Sequence, residues 1–128
     1  MMTGERIRFL VIMSVEMEKI KAASDFVAQE LTRQFGGVTV LSTSEELALA
    51  GYWADDGSAF KDFYSGNVVR EPVIAVILSV LPEHEERAFE HIQRVIHEVV
   101  SEFDLKSRYI HVETTCSRAR HFDVSEMR

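Results

Sequence analysis

Apolar residues fall along this chain in two alternating stretches separated by two helical ones. From Ile7 to Ser14, IRFLVIMS, side chains alternate at the two-residue period of a strand. Ile7, Phe9, Val11 and Met13 share one face; Arg8, Leu10 and Ile12 share the other. Val68–Leu81, VVREPVIAVILSVL, is the longest apolar run and alternates too. Ile74, Val76, Leu78 and Val80 oppose Val73, Ala75 and Ile77. Both segments are apolar on both faces at their centres, which reads as two central strands. After each strand the period becomes helical. Ile20, Ala23, Val27 and Leu31 define a helix to about Gln34, with Ser14 as its expected N-cap and Gly36-Gly37 as its stop. Pro82 and Glu83, Glu85 and Glu86 open the second helix, whose stripe is Ala88, Ile92, Val95, Ile96, Val99 and Phe103.

Two weaker strands complete the set, Val38–Ser42 and Arg108–Thr115. Residues 43–50 read as a helical turn or as a strand with a bulge, and Gly51-Tyr52-Trp53 as strand again. Asp55-Asp56-Gly57-Ser58 and Ser65-Gly66-Asn67 are turn signals. The whole excursion from Thr43 to Asn67 is too long for a hairpin loop, and such segments are disproportionately functional. The element order is β-α-β, β-α-β. That predicts an α+β, ferredoxin-like domain: an antiparallel sheet in the order 4-1-3-2, two helices on one face, and a long excursion between the second and third strands. One domain is expected over 1–128, with its core at about 6–115 and an extended tail over 116–128.

Helices on one face leave the second face of the central strands uncovered. An exposed apolar area of several hundred Å² is unusual for a monomer, and at roughly 25 cal/mol per Å² it is a strong association surface. A homodimer or homotrimer packed through this face is expected. The alternative is that the excursion folds back and covers it with Trp53, Phe60, Phe63 and Tyr64.

The formal charge of −7 over 128 residues argues against a nucleic-acid partner, whose phosphates call for a basic face. One cysteine, Cys116, excludes an internal disulfide. The N-terminus has neither the long apolar stretch nor the cleavage site of a secretory signal, and no segment is long enough to span a membrane. A cytoplasmic protein with no membrane partner is expected.

No nucleotide-loop, dinucleotide or nucleophile-elbow motif is present, so no cofactor is expected. Arg70 and Glu71, across a hairpin from Tyr52 and Trp53, form the candidate ligand-binding cluster. The arginine would hold a carboxylate or phosphate and the aromatics would wall a pocket. The plainer reading is that Arg70 and Glu71 pair across the hairpin. His111 and Glu113, two apart on a strand, could ligate a metal with Cys116 and His121 nearby, but the spacing matches no metal motif. His84, His91 and His97 read as part of a solvated helix face. Arg118 and Arg120 beside Cys116 would favour its thiolate if near in space.

Thr39-Val40-Leu41, Gly51-Tyr52-Trp53 and Arg70-Glu71-Pro72 resemble the T-V-L, G-x-W and R-E-P pattern of a family of small bacterial proteins of unknown function. That resemblance implies a ferredoxin-like fold and no activity. The architecture is also similar to PII signalling and CutA-like trimers, which carry a long loop or hairpin between strands two and three. The T-G-x-x-G-D-G-K nucleotide segment of the PII proteins has no counterpart here. The function expected is a homo-oligomeric small-ligand-binding, regulatory or interaction protein. The alternative is a cofactor-independent enzyme of the dimeric α+β barrel type, with Tyr109, His111 or Arg8 as its polar group.

Overall fold

The computed structural model of the chain describes residues 2–44, 49–107 and 110–127. Part of the turn or bulge expected at 43–50, and Arg108 and Tyr109, lie outside these residues. In chain order the elements are β1 (Met2–Ser14), a 3-10 turn (Met17–Lys19), α1 (Ile20–Phe35), β2 (Thr39–Ser42), β3 (Ala50–Ala54), β4 (Val68–Val80), a 3-10 turn (Pro82–His84), α2 (Glu85–Glu102), β5 (His111–His121) and a 3-10 turn (Val124–Met127). The fold is α+β, with a sheet running β2-β4-β1-β5 and β3 paired to β4 off that path. All pairings are antiparallel. The sheet therefore has a fifth strand, β3, inside the long excursion.

The core lies between the sheet and the helices. Ile7, Phe9, Val11 and Met13 of β1 and Ile74, Val76, Leu78 and Val80 of β4 are buried against Ile20, Ala23, Val27 and Leu31 of α1 and Ala88, Ile92, Val95, Ile96 and Val99 of α2. The register places Phe9 opposite Leu78 and Val11 opposite Val76, so one row of each strand meets the helices. Phe26 and Phe103 close one margin edge to face, with ring centroids 5.9 Å apart.

The caps differ in part from expectation. Gly36 ends α1 in the left-handed region, φ 82°, and its N–H bonds the Thr32 carbonyl at 2.8 Å. A side chain there would be strained, which is why glycine suits the position. Ser14 does not cap α1. The sheet continues through it, because Val15 is buried and gives its N–H to the Pro72 carbonyl at 3.1 Å. Glu16 then accepts from the Lys106 N–H at 3.0 Å and pairs with Lys19 at 3.2 Å. Lys19 also donates to the Asp104 carbonyl at 3.0 Å, and the Ser107 hydroxyl donates to the Ser14 carbonyl. Together these bonds tie the connection after α2 to the end of β1.

Two further boundaries moved. Cys116–His121, expected as a tail, continues β5 and pairs with β1 from Ile7 back to Met2. β1 likewise starts at Met2 instead of Ile7. These segments are polar because they pair with each other beyond the helices and bury little.

β1 and β4 are staggered. Their pairing runs only from Ile7↔Val80 to Ser14↔Val73. Beyond it, Met2–Arg6 pairs with β5 alone and Val68–Pro72 pairs with β3 alone. Two ribbons thus leave opposite ends of the sheet.

The second face of the sheet carries Leu10 and Ile12 from β1, Ala75 and Ile77 from β4, and Leu41 from β2. The register sets Leu10 opposite Ile77, and Ile12 opposite Ala75, which faces Leu41. Leu41 is 45% exposed and the other four are partly exposed, whereas Val73, on the same face, is buried. Phe60 and Phe63 of the excursion do not cover this face. Phe60 and Phe63 are 105% and 79% exposed, and Trp53 lies on its own ribbon.

Candidate functional site

The β3–β4 ribbon holds the four residues singled out as a ligand-binding cluster. Its register pairs Tyr52 with Arg70, Gly51 with Glu71 and Trp53 with Val69. Directly opposed residues share a face and successive residues alternate. Tyr52 and Arg70 therefore lie on one face of the ribbon, and Trp53 and Glu71 on the other. The four are brought together as two pairs on opposite faces and do not wall a single pocket. Arg70 and Glu71 each reach a partner across the hairpin.

Each pair is joined by a hydrogen bond. Arg70 Nε donates to Tyr52 Oη at 2.9 Å, and the guanidinium carbon stands 5.8 Å from the Tyr52 ring centroid. On the other face Trp53 Nε1 donates to Glu71 Oε2 at 3.3 Å. The indole lies over Gly51, where an added Cβ would come within 2.1 Å of the ring. The G-x-W spacing has a local cause: glycine leaves room for the ring two residues on. Pro72 sits opposite Ala50, while Val73 N–H bonds the Leu49 carbonyl at 3.2 Å. Proline thus occupies a position whose missing N–H is not needed by β3.

The ribbon ends in a polar tip. Lys61 Nζ pairs with Asp56 Oδ2 at 3.1 Å, and Lys61 N–H donates to Tyr64 Oη at 3.0 Å. Gly66 lies under the carboxylates of Asp55 and Asp56, where a Cβ would meet oxygens at 2.1 and 2.6 Å. None of residues 55–67 is buried. Chemically, the Arg70 face offers terminal N–H groups to a carboxylate or phosphate beside an aromatic ring. The Glu71 face offers a carboxylate beside an indole.

A cleft of about 110 Å³ adjoins the second face, lined by Ser14, Val15, Glu16, Glu71, Pro72 and Lys106. Glu16 was not singled out from the sequence. Partial burial raises its carboxyl, but the Lys106 N–H and the Lys19 ammonium outweigh that and hold it below its ordinary 4.5. A larger, open hollow of about 480 Å³ lies at the far end of the sheet, lined by Glu5, Arg6, Ile7, Pro82, Cys116, Ser117 and Arg118.

His111 and Glu113 share the open face, with Nε2 and Oε2 2.7 Å apart. Among the described residues, no three His, Cys, Asp or Glu side chains gather as a metal cluster. Arg8 also belongs to the open face, and the register sets it opposite Thr115. Neither Arg8 nor His111 points toward the helices. His91 stands edge-on to Phe35 with centroids 6.1 Å apart, partly buried against α1. Cys116 is exposed.

The chain has a ferredoxin-like α+β fold similar to that of CutA1. Among solved structures, the divalent ion tolerance protein CutA1 of Ehrlichia chaffeensis is similar at 11% identity and a TM-score of 0.50, over 93% of this chain and 87% of that one. A phage SAM lyase, solved with S-methyl-5'-thioadenosine, is similar at 13% identity and a TM-score of 0.50, over 92% and 93% of the two chains. The nitrogen regulatory PII-like protein CPII of Thiomonas intermedia K12 is similar at 14% identity and a TM-score of 0.42, over 94% and 100%. At these identities the likeness concerns the fold. No model of a known protein family and no curated protein matches the sequence. No described helix is long and apolar enough to cross a membrane.

Proposed function

We propose that this chain is a self-associating ligand-binding or regulatory protein. The open sheet face is its association surface, and the β3–β4 ribbon with its tip is its recognition element. The observation that carries the reading is the row of Leu10, Ile12, Ala75, Ile77 and Leu41, each at least partly exposed. A contiguous apolar surface of this kind gains most by meeting another like it. The ribbon supports the second half of the reading. It holds two aromatic-polar pairs away from the core, so its contacts can change without cost to the fold.

The test is light scattering coupled to size exclusion on the full chain. The wild-type protein elutes as an oligomer, and Ile12→Glu or Ile77→Glu lowers its mass while keeping its circular dichroism. A monomeric wild type at tens of micromolar overturns the association. The ligand is sought by thermal shift, since any ligand of the native state raises apparent stability. Small carboxylates and phosphates come first, for Arg70. Adenine nucleosides follow, because a protein of this fold was solved with S-methyl-5'-thioadenosine. A ligand whose shift survives Arg70→Ala and Tyr52→Ala does not bind at the ribbon.

A further inference from the structure

The sheet ends at β5, and no described element lies along that strand's outer edge. Its ladder shows which backbone groups face outward. Val15 N–H reaches the Pro72 carbonyl, one step beyond the pair Ser14↔Val73. Odd-numbered residues of β1 therefore turn their backbone groups to β4, and even-numbered residues turn theirs to β5. The β1–β5 register, Arg6↔Ser117 and Arg8↔Thr115, then uses odd-numbered residues of β5. Val112, Thr114, Cys116, Arg118 and Arg120 direct their N–H and C=O groups away from the sheet. The register runs unbroken from Ile12↔His111 to Met2↔His121, without a bulge or a proline. An edge this long and regular is a template for another strand.

We propose that the outer edge of β5 pairs antiparallel with the same edge of a second copy of this chain, about a two-fold axis at Cys116. The strand is self-complementary about that point. Cys116 is the midpoint of His111–His121, so the register that overlaps the whole strand sets it opposite its own copy. Every outward N–H then meets an outward carbonyl. Arg118 of one copy faces Thr114 of the other, and Arg120 faces Val112, so no like charges are directly opposed. Moving the axis to residue 118 would set Arg118 against itself, which is unfavourable. This interface lies at the edge of the sheet and is separate from the open face.

Cys116 makes the arrangement measurable. Directly opposite residues of a hydrogen-bonded pair have Cα atoms about 5.5 Å apart, within reach of a short bis-maleimide. Treating the full chain with that reagent at micromolar concentration gives a covalent dimer as the main product. Cys116→Ser removes the cross-link and leaves the mass by light scattering unchanged. Thr114→Pro deletes an outward N–H that β1 does not use, and lowers the cross-linked yield roughly tenfold or more, the effect of about 1.4 kcal/mol on a dimer constant. Thr114→Arg keeps that N–H, opposes Arg118 with a like charge and has the same effect, so the test survives if the proline variant fails to fold. Ile12→Glu, on the open face, leaves the cross-link in place. A cross-link unaffected by both Thr114 variants, a cross-link lost in Ile12→Glu, or a wild-type monomer each overturns the proposal.

Discussion

The indole of Trp53 lies across the backbone of Gly51, with its N–H turned to the Glu71 carboxylate on the neighbouring strand. Gly51→Ala would put a methyl carbon 2.1 Å from the nearest ring carbon. The expected outcome is a displaced indole: red-shifted emission, readier quenching by iodide, and loss of the Glu71 bond. Global stability should change by about 1 kcal/mol or less, because the ribbon lies outside the core. Unchanged fluorescence would show that the ring does not rest on Gly51.

Phe9 and Leu10 are neighbours in sequence and face opposite ways. Phe9 is 1% exposed beneath both helices, whereas Leu10 lies on the open face. Phe9→Ala should cost about 3–5 kcal/mol by urea unfolding, independent of protein concentration. Leu10→Ala should cost about 1 kcal/mol at high dilution. Its effect should grow with protein concentration, because only the associated wild type buries that side chain fully. Equal, concentration-independent losses would remove the distinction between the faces.

Glu16 should give stability a pH dependence. Its folded pKa lies below the ordinary 4.5, so its contribution is fully present above that value and fades as pH falls through the folded pKa. Glu16→Gln should lower stability by about 1 kcal/mol at pH 7, the usual worth of such a bond. The gap to wild type should close under acid, read from melts taken between pH 7 and pH 3. A gap that widens in acid contradicts the sign.

Replacing residues 56–66 by Asn-Gly should leave the fold and the assembly intact, since none of those residues is buried. Asp55 N–H bonds the Asn67 carbonyl at 2.8 Å, and a two-residue turn suits such a hydrogen-bonded pair. Any ligand response tied to the tip should vanish. If the deletion unfolds the protein, the excursion belongs to the core and the recognition role fails.

These contrasts also show what the sequence could and could not convey. The alternation in Ile7–Ser14 and Ile74–Val80 was legible because buried strands must be apolar at a two-residue period. Which face stayed open was not, because both sets are apolar and only the helices decide. Cys116–His121 does not read as strand because a ribbon exposed on both faces carries no apolar signal. Tyr52, Trp53, Arg70 and Glu71 were identified as neighbours from the turn between them. Their division onto two faces depends on register, and no tight turn fixes register across an excursion this long. Glu16 and Lys106 meet through the fold alone, ninety positions apart.

The stagger of β1 and β4 gives the molecule unequal resistance to opening along its length. The amides of Phe9–Met13 and Ile74–Leu78 can exchange only when the helices leave, so they report global unfolding. Those of Met2–Arg6 and Val68–Glu71 can fray in separate local events that expose no core. Because the two fraying segments sit at opposite ends, one can be ordered by a visitor without the other sensing it.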